Sequence, residues 1–351
     1  MPKYRDIRQF GKIAVLQTAF LGDVALALHL IETIKMLNGS SKRYFITTPA
    51  ASSIAECASA VDEVIVYDKR NKHKGLSGIK LIAGELEDRG VDLILSPHRS
   101  LRSTLTSFLS GAFTVGFDRN AFSLLYKKRV PYRKHLHEVE RNLMLLRPFG
   151  VDYRDFNHIS ARIEINDVHT KGLSKIIDFE DICIQRTVAL APGSVWETKK
   201  WTKSGFIELG RLLGDAGCKI IVVGGPADEE VCREVASSID CTNLCGETSI
   251  PQTLAILEKC ELLVTNDSAP THFAGLMKCP TITIFGPTVP EFGFAPRGEF
   301  DQVVQDETLK CRPCAIHGTR SCPIKTHECM RNVSGEMVFE RAFSILNRTE
   351  E

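Results

Sequence analysis

Short apolar runs alternate with longer stretches of helical period along most of this chain. Lys12-Ile13-Ala14-Val15-Leu16 reads as a strand. A loop, Gln17 to Asp23, follows it. From Val24 to Leu37 the apolar positions Leu26, Leu30, Ile34 and Leu37 recur at spacings of three and four, which predicts a helix. The alternation continues through 44–48, 64–67, 79–89, 93–96 and 114–117. A stretch of weak periodicity, Val151 to Asp167, reads as a connection. A second series then runs through 187–190 (strand), 203–215 (helix), 219–223 (strand), 253–260 (helix), 262–264 (strand) and 281–285 (strand). Strand–helix–strand repetition predicts α/β domains with parallel sheets. At 351 residues the chain exceeds what one core usually organises, so two domains are expected, 1–165 and 166–330.

Composition narrows the class. Apolar content of 43% and charged content of 25% are ordinary for a water-soluble globular chain. A net charge of +1 gives no global pull toward nucleic acid, and none is expected as a partner. No apolar run approaches the ~18 residues of a membrane span. The N-terminal stretch lacks the apolar core and small-residue cleavage site of a secretory signal. Twelve cysteines, several at apparent core positions (Cys183, Cys218, Cys260, Cys279), suit reduced thiols in a cytoplasm.

Candidate chemistry gathers where predicted strands end. After Leu262-Leu263-Val264 comes the polar knot Thr265-Asn266-Asp267-Ser268, then Ala269 and Pro270 at a helix start, with His272 one turn in. A helix opening past a strand end presents backbone N–H groups and a positive dipole end, which suits phosphate. The plainer reading is an N-cap and a surface histidine. Ser194 with Lys199, and Glu229, lie in two more strand-end loops of the same half. In a parallel sheet these loops share one edge, where a lysine and helix amides would hold a diphosphate and a glutamate would accept from ribose hydroxyls. In the first half, Gly22 and Asp23 sit where the first strand turns into the first helix. Asp23 reads either as an N-cap or as a general base. Arg99 and Arg102 follow another strand end, and Arg119 a third. From Arg119 to Arg147 the chain is locally basic, with Lys127, Lys128, Arg129, Arg133, Lys134, His135, His137, Arg141 and Arg147 against Glu138 and Glu140. This run reads as a solvated face, or as a surface for an anionic acceptor or an anionic membrane.

The segments AVLQTAFLGDVALALHLIETIK, LAPGSVWETKKWTKSGFIELGRLL, VVGGPADEE and NDSAPTHFAGLMKCPTITIFGPTVP resemble glycosyltransferase family 9, the ADP-heptose:lipopolysaccharide heptosyltransferases. The tail cysteine pattern resembles the heptosyltransferase II branch. The resemblance implies a GT-B architecture, two Rossmann-like domains facing a central cleft. The acceptor would bind the first domain and the nucleotide sugar the second, and a last helix within 331–351, Met337 to Leu346, would pack back on the first domain. It also assigns roles. Asp23 falls on the general base and Lys199 on a lysine at the donor phosphates. Glu229 falls on a ribose-binding glutamate. Asp267, Ser268, Ala269, Pro270 and His272 fall on the donor loop. Ala269 stands where many relatives have Gly, a change that leaves an amide-based phosphate site intact. Thr248 is placed near the adenine. Gly22, Arg99, Arg102 and Arg119 are expected on the acceptor side.

The implied reaction is an inverting, metal-independent heptose transfer from ADP-heptose to a hydroxyl of the lipopolysaccharide inner core. The implied setting is a cytoplasmic monomer touching the inner membrane face. A family 9 enzyme using another nucleotide sugar and a catalytically silent sugar-nucleotide-binding protein are the competing readings. Cys311, Cys314, Cys322 and Cys329, with His317 and His327 among them, form a separate motif. Cys-x2-Cys is a common zinc half-site, so a structural Zn²⁺ is one reading, and reduced thiols or a disulfide-capable pair the others.

Overall fold

The computed structural model describes residues 5–120, 122–178, 182 and 186–348. Cys183, expected in a core, lies outside these residues. The chain divides into two compact units, Met1–Glu164 and Ile165–Glu351.

In the first unit six parallel strands form one sheet: β1 (Lys12–Leu16), β2 (Lys42–Thr47), β3 (Glu63–Val66), β4 (Leu93–Ser96), β5 (Phe113–Phe117) and β6 (Lys128–Val130). Their order in space is β3-β2-β1-β4-β5-β6. Helices α1 (Leu21–Leu37), α2 (Ser52–Glu56), α3 (Gly75–Asp88), α4 (Leu101–Leu109) and α5 (Glu138–Leu143) supply the crossovers and the covering layers. The second unit repeats the plan. Its strands are β7 (Thr187–Ala191), β8 (Lys219–Val222), β9 (Thr242–Asn243), β10 (Leu262–Asn266), β11 (Thr281–Phe285) and β12 (Gln302–Gln305), ordered β12-β11-β10-β7-β8-β9. Its helices include α6 (Lys203–Asp215), α7 (Glu229–Ala236), α8 (Ile250–Lys259), α9 (Ala269–Met277) and α10 (Gly335–Leu346).

The central strands read as continuous apolar runs because helices cover both faces of a parallel sheet. Every residue of β7, β10 and β11 is buried. Both sheets have the doubly wound order, which reverses direction between β1 and β4 in one unit and between β7 and β10 in the other. Such a reversal leaves a crevice outside the carboxyl ends of the two strands. The segments after β1, β4, β7 and β10 are the ones that carry Asp23, Arg99, Lys199 and Asp267.

One expectation changes. Helix α1 starts at Leu21, with Phe20 as N-cap, so Asp23 lies in its first turn and is not the cap. Within the second unit the last helix, α10, packs against α6. Val338, Ala342 and Ile345 form an apolar stripe that joins Trp201, Phe206, Leu209 and Leu213 in one buried cluster. Each fully buried Val, Leu, Ile or Phe among them is worth about 1.5–3 kcal/mol. Trp201 Nε1 donates to the Val333 carbonyl at 2.9 Å, and the Gly335 amide donates to Glu208 at 2.6 Å. These bonds hold the helix start to α6.

Candidate active site

In the second unit the polar knot after β10 is a built arrangement. Asn266 is fully buried and joins three segments: its Nδ2 donates to the Pro192 carbonyl at 2.8 Å and the Gly193 carbonyl at 3.2 Å, and its Oδ1 accepts from the Trp201 amide at 2.8 Å. It therefore ties the end of β10 to the loop after β7. Asp267 is buried, and its Oδ2 lies 2.6 Å from Lys199 Nζ and accepts from Thr288 Oγ1 at 2.6 Å. Ser268 is the N-cap of α9 and makes no side-chain capping bond, and Pro270 occupies the first turn. The helix start is thus left for a ligand, with a lysine beside it. His272 is buried one turn on, and its ring faces Phe294 at a centroid separation of 6.5 Å. Burial lowers its pKa to about 4, the Lys199 charge adds to this, and the Asp267 charge opposes it. His272 is therefore a neutral imidazole near pH 7.

The Lys199 loop is clamped from the C-terminal tail. Thr198 Oγ1 donates to the Thr319 carbonyl at 3.0 Å and accepts from its amide at 2.8 Å. His327 Nε2 lies 2.9 Å from the Thr198 carbonyl. Glu229 opens α7, and its carboxylate closes over Gly246, whose φ of 79° favours glycine. A Cβ at Gly246 would stand 2.8 Å from Glu229 Oε1, so this contact requires the absent side chain. Thr248 lies two residues on and hydrogen-bonds Thr253 at 2.9 Å. Ser194 sits in the loop after β7 and receives the Trp196 amide at 3.4 Å.

In the first unit, Asp23 accepts from the Phe20 amide, the N-cap position, and from its own. Helix α1 packs on α5, which carries Glu138 and Arg141. Burial raises the Asp23 pKa to about 7, and the Glu138 charge raises it further, against those amides and the Arg141 charge. Glu138 and Arg141 are themselves buried and paired at 2.6 Å. Arg141 thus departs from the solvated basic face that the sequence suggests. The Arg99 guanidinium stacks 3.8 Å from the Tyr132 ring centroid, and Arg141 lies 5.3 Å from the same ring. Arg102 donates to the His73 carbonyl at 2.9 Å. Arg119 is exposed, and Gly22 lies beside Asp23 in the first turn of α1.

This unit holds groups that the sequence reading did not single out. His98 Nδ1 meets Thr18 Oγ1 at 2.9 Å and Ser103 Oγ at 3.0 Å. Burial, then the Lys69 and Arg99 charges, lower its pKa to about 4. Tyr132 in this unit and Thr288 in the second likewise went unremarked, whereas Asn266 and Glu138 lay in the polar knot and the basic run that the sequence named.

The second unit thus joins an uncapped helix start to a buried lysine–aspartate pair at a strand end. The sequence profile of glycosyltransferase family 9 (heptosyltransferase) matches residues 81–324, more than half of the chain. The chain belongs to glycosyltransferase family 9. Lipooligosaccharide heptosyltransferase 2 of Campylobacter jejuni is 25% identical to this family 9 chain over 357 aligned positions, which cover 96% of this chain and 99% of that protein. Among solved structures, the family 9 glycosyltransferase of Veillonella parvula superposes with a TM-score of 0.85 at 22% identity, covering 98% of both chains. The ADP-heptose lipopolysaccharide heptosyltransferase II of E. coli superposes with a TM-score of 0.77 at 19% identity, covering 95% of this chain and 98% of that one. These neighbours have the GT-B fold.

The cysteine motif of this family 9 chain is corrected by the structure. Among the described residues, no group of three or more His, Cys, Asp or Glu side chains is arranged to hold a metal ion. Cys329 is buried in the apolar cluster with Met330, and burial pushes its thiol up to about 11. Cys311 is exposed, while Cys314 Sγ lies 3.2 Å from the Cys311 carbonyl. The tail instead closes on the Lys199 loop through Thr319 and His327. No helix among the described residues is long and apolar enough to cross a membrane.

Proposed function

We propose that this glycosyltransferase transfers a heptose, with inversion, from ADP-heptose to a hydroxyl of the lipopolysaccharide inner core. The observation that carries the reading is the Lys199–Asp267–Thr288 arrangement at the open start of α9. The names of its relatives support the sugar and the acceptor. Asp23 takes the proton of the acceptor hydroxyl as that oxygen attacks the anomeric carbon. The bond from that carbon to the diphosphate oxygen breaks, and ADP departs with the electron pair. Lys199 and the amides after Asp267 offset the charge growing on ADP, so the scheme needs no metal. Asp267, held by Thr288, keeps Lys199 aimed until the diphosphate arrives.

Glu229 accepts from the ribose hydroxyls, Thr248 lies toward the adenine, and Ser194 and His272 complete the donor wall. Arg99, Arg102 and Arg119 meet the anionic, lipid-linked acceptor beside Gly22. The setting is the cytoplasmic face of the inner membrane, and the acting species is a monomer. An ADP-release assay with ADP-heptose and a Kdo-containing lipid core acceptor tests the reading. Acceptor-dependent release is expected. Turnover only with UDP- or GDP-sugars, or donor binding without turnover on any acceptor, would replace it.

A further inference from the structure

Helix α4 is inside out. Its sequence, LRSTLTSFL, places Leu101, Leu105, Phe108 and Leu109 at i, i+4, i+7 and i+8, the stripe that normally faces a core. Here the buried side is Ser103, Thr104, Thr106 and Ser107, while Leu101 is 46% exposed and Phe108 47%. The inversion is specified by partners. Thr104 Oγ1 meets the Tyr126 hydroxyl at 3.1 Å and accepts from Asn120 at 2.6 Å. Thr106 Oγ1 donates to the Tyr67 hydroxyl at 3.3 Å, and Ser103 meets His98 at 3.0 Å. With these bonds satisfied, the polar side stays in and the apolar side faces solvent.

The exposed face continues past the helix. Helix α4 packs against the 3-10 turn Ser123–Leu125, where Leu124 is 77% exposed and Phe122 also projects. The chain segment that carries it is basic, although α3, which packs on α4, brings Glu85, Glu87 and Asp88 to its other side. Between Pro97 and His137 the cations are Arg99, Arg102, Arg119, Lys127, Lys128, Arg129, Arg133 and Lys134, and Asp118 is the one acid. Lys127, Lys128 and Arg129 are exposed next to the turn. An apolar stripe on a short helix, flanked by a cationic strip, is what lies flat in the headgroup region of an anionic bilayer.

We propose that α4 and the Phe122–Leu124 turn form an in-plane docking face for an anionic membrane, with Phe108, Leu101 and Leu124 entering the interface and Lys127 to Arg129 meeting the headgroups. This deepens the reading of a lipid-linked acceptor and rests on it for its purpose. Its test uses neither donor nor acceptor, so the two fail separately. The full chain would be floated with vesicles of phosphatidylglycerol and phosphatidylethanolamine, and with phosphatidylcholine alone. Binding is expected to the anionic vesicles only, weakening as salt rises. The double variant Phe108→Gln, Leu124→Gln is expected to bind about tenfold more weakly, because two apolar anchors are lost from the buried area. Its melting temperature should match the parent, because both side chains project into solvent. A Lys127→Gln, Lys128→Gln variant is expected to lose the anionic preference. Equal binding by parent and double variant, or no binding by the parent, would overturn the proposal. So would a parent dimer that the double variant dissociates in sedimentation runs, since a second copy would then cover this face.

Discussion

Lys199 Nζ stands 2.6 Å from Asp267 Oδ2, and both side chains are largely withdrawn from water. A lysine so placed is fixed in position by the aspartate beside it. The carboxylate that holds it is itself fixed by Thr288. The pair therefore serves two ends: it satisfies two charges that burial would otherwise penalise, and it stores a cation beside the start of α9.

Replacing Lys199 by Met should separate these ends. Turnover is expected to fall by about 10²–10³-fold, the usual effect of removing one group that stabilises developing negative charge. Stability should also drop, because Asp267 loses its counter-ion in a buried setting. ADP release and thermal melts measure the two effects. Unchanged turnover would remove Lys199 from the donor site.

Thr288→Val keeps the side-chain shape and deletes the hydroxyl. Asp267 then holds Lys199 with one bond fewer, and about 1 kcal/mol of stability should be lost. The KM for the donor should rise several-fold while the acceptor KM stays constant. A change in acceptor KM alone would contradict this placement.

The Asp23 pKa of about 7 sets an acidic limb. Its base form is the ionised one, so kcat/KM should climb with pH, with unit slope below about 7, and level off above. The stability effect has the opposite sense. A folded-state pKa raised above the unfolded value favours the protonated carboxyl, so the native state loses stability as pH rises from about 4 to about 7. Asp23→Asn should abolish most turnover yet melt higher than the parent at pH 8. The gain should be about 2 kcal/mol, reduced from the full linkage value because Asp23 is only half-buried. A variant that melts lower at pH 8 and at pH 4 alike would refute the burial account.

Glu138→Gln tests what raises that pKa. Removing the Glu138 charge and freeing Arg141 both favour ionised Asp23, so the acidic limb should move to lower pH. The variant should also be less stable, since Arg141 loses its carboxylate counter-ion in a buried setting. A pH–rate profile with an unmoved limb would show that burial alone tunes Asp23.

How much of this was legible in the chain differs element by element. The strand before Asp267, the turn after β1 and the helix after Thr202 follow from apolar runs, helical period and cap residues, all local signals. Helix α4 shows the limit of such signals. Its period is correct, but Tyr67, Tyr126 and Asn120 decide which side is buried, and they lie outside the helix. Arg141 is similar: amid a basic run it reads as surface, and only the packing of α5 on α1 encloses it with Glu138.

The sequence by itself determined the class of fold, the two-unit plan, the family, and the residue types at each strand end, because these depend on spacings of a few residues. Tertiary structure alone decided that Lys199 meets Asp267 and Thr288. It likewise decided that the last helix belongs to the second unit. Lys199 and Asp267 are 68 positions apart, and Thr288 lies 21 beyond Asp267. A contact across such distances is set by the order of strands in the sheet and by which apolar faces pack together, and neither is written in any local stretch of the chain.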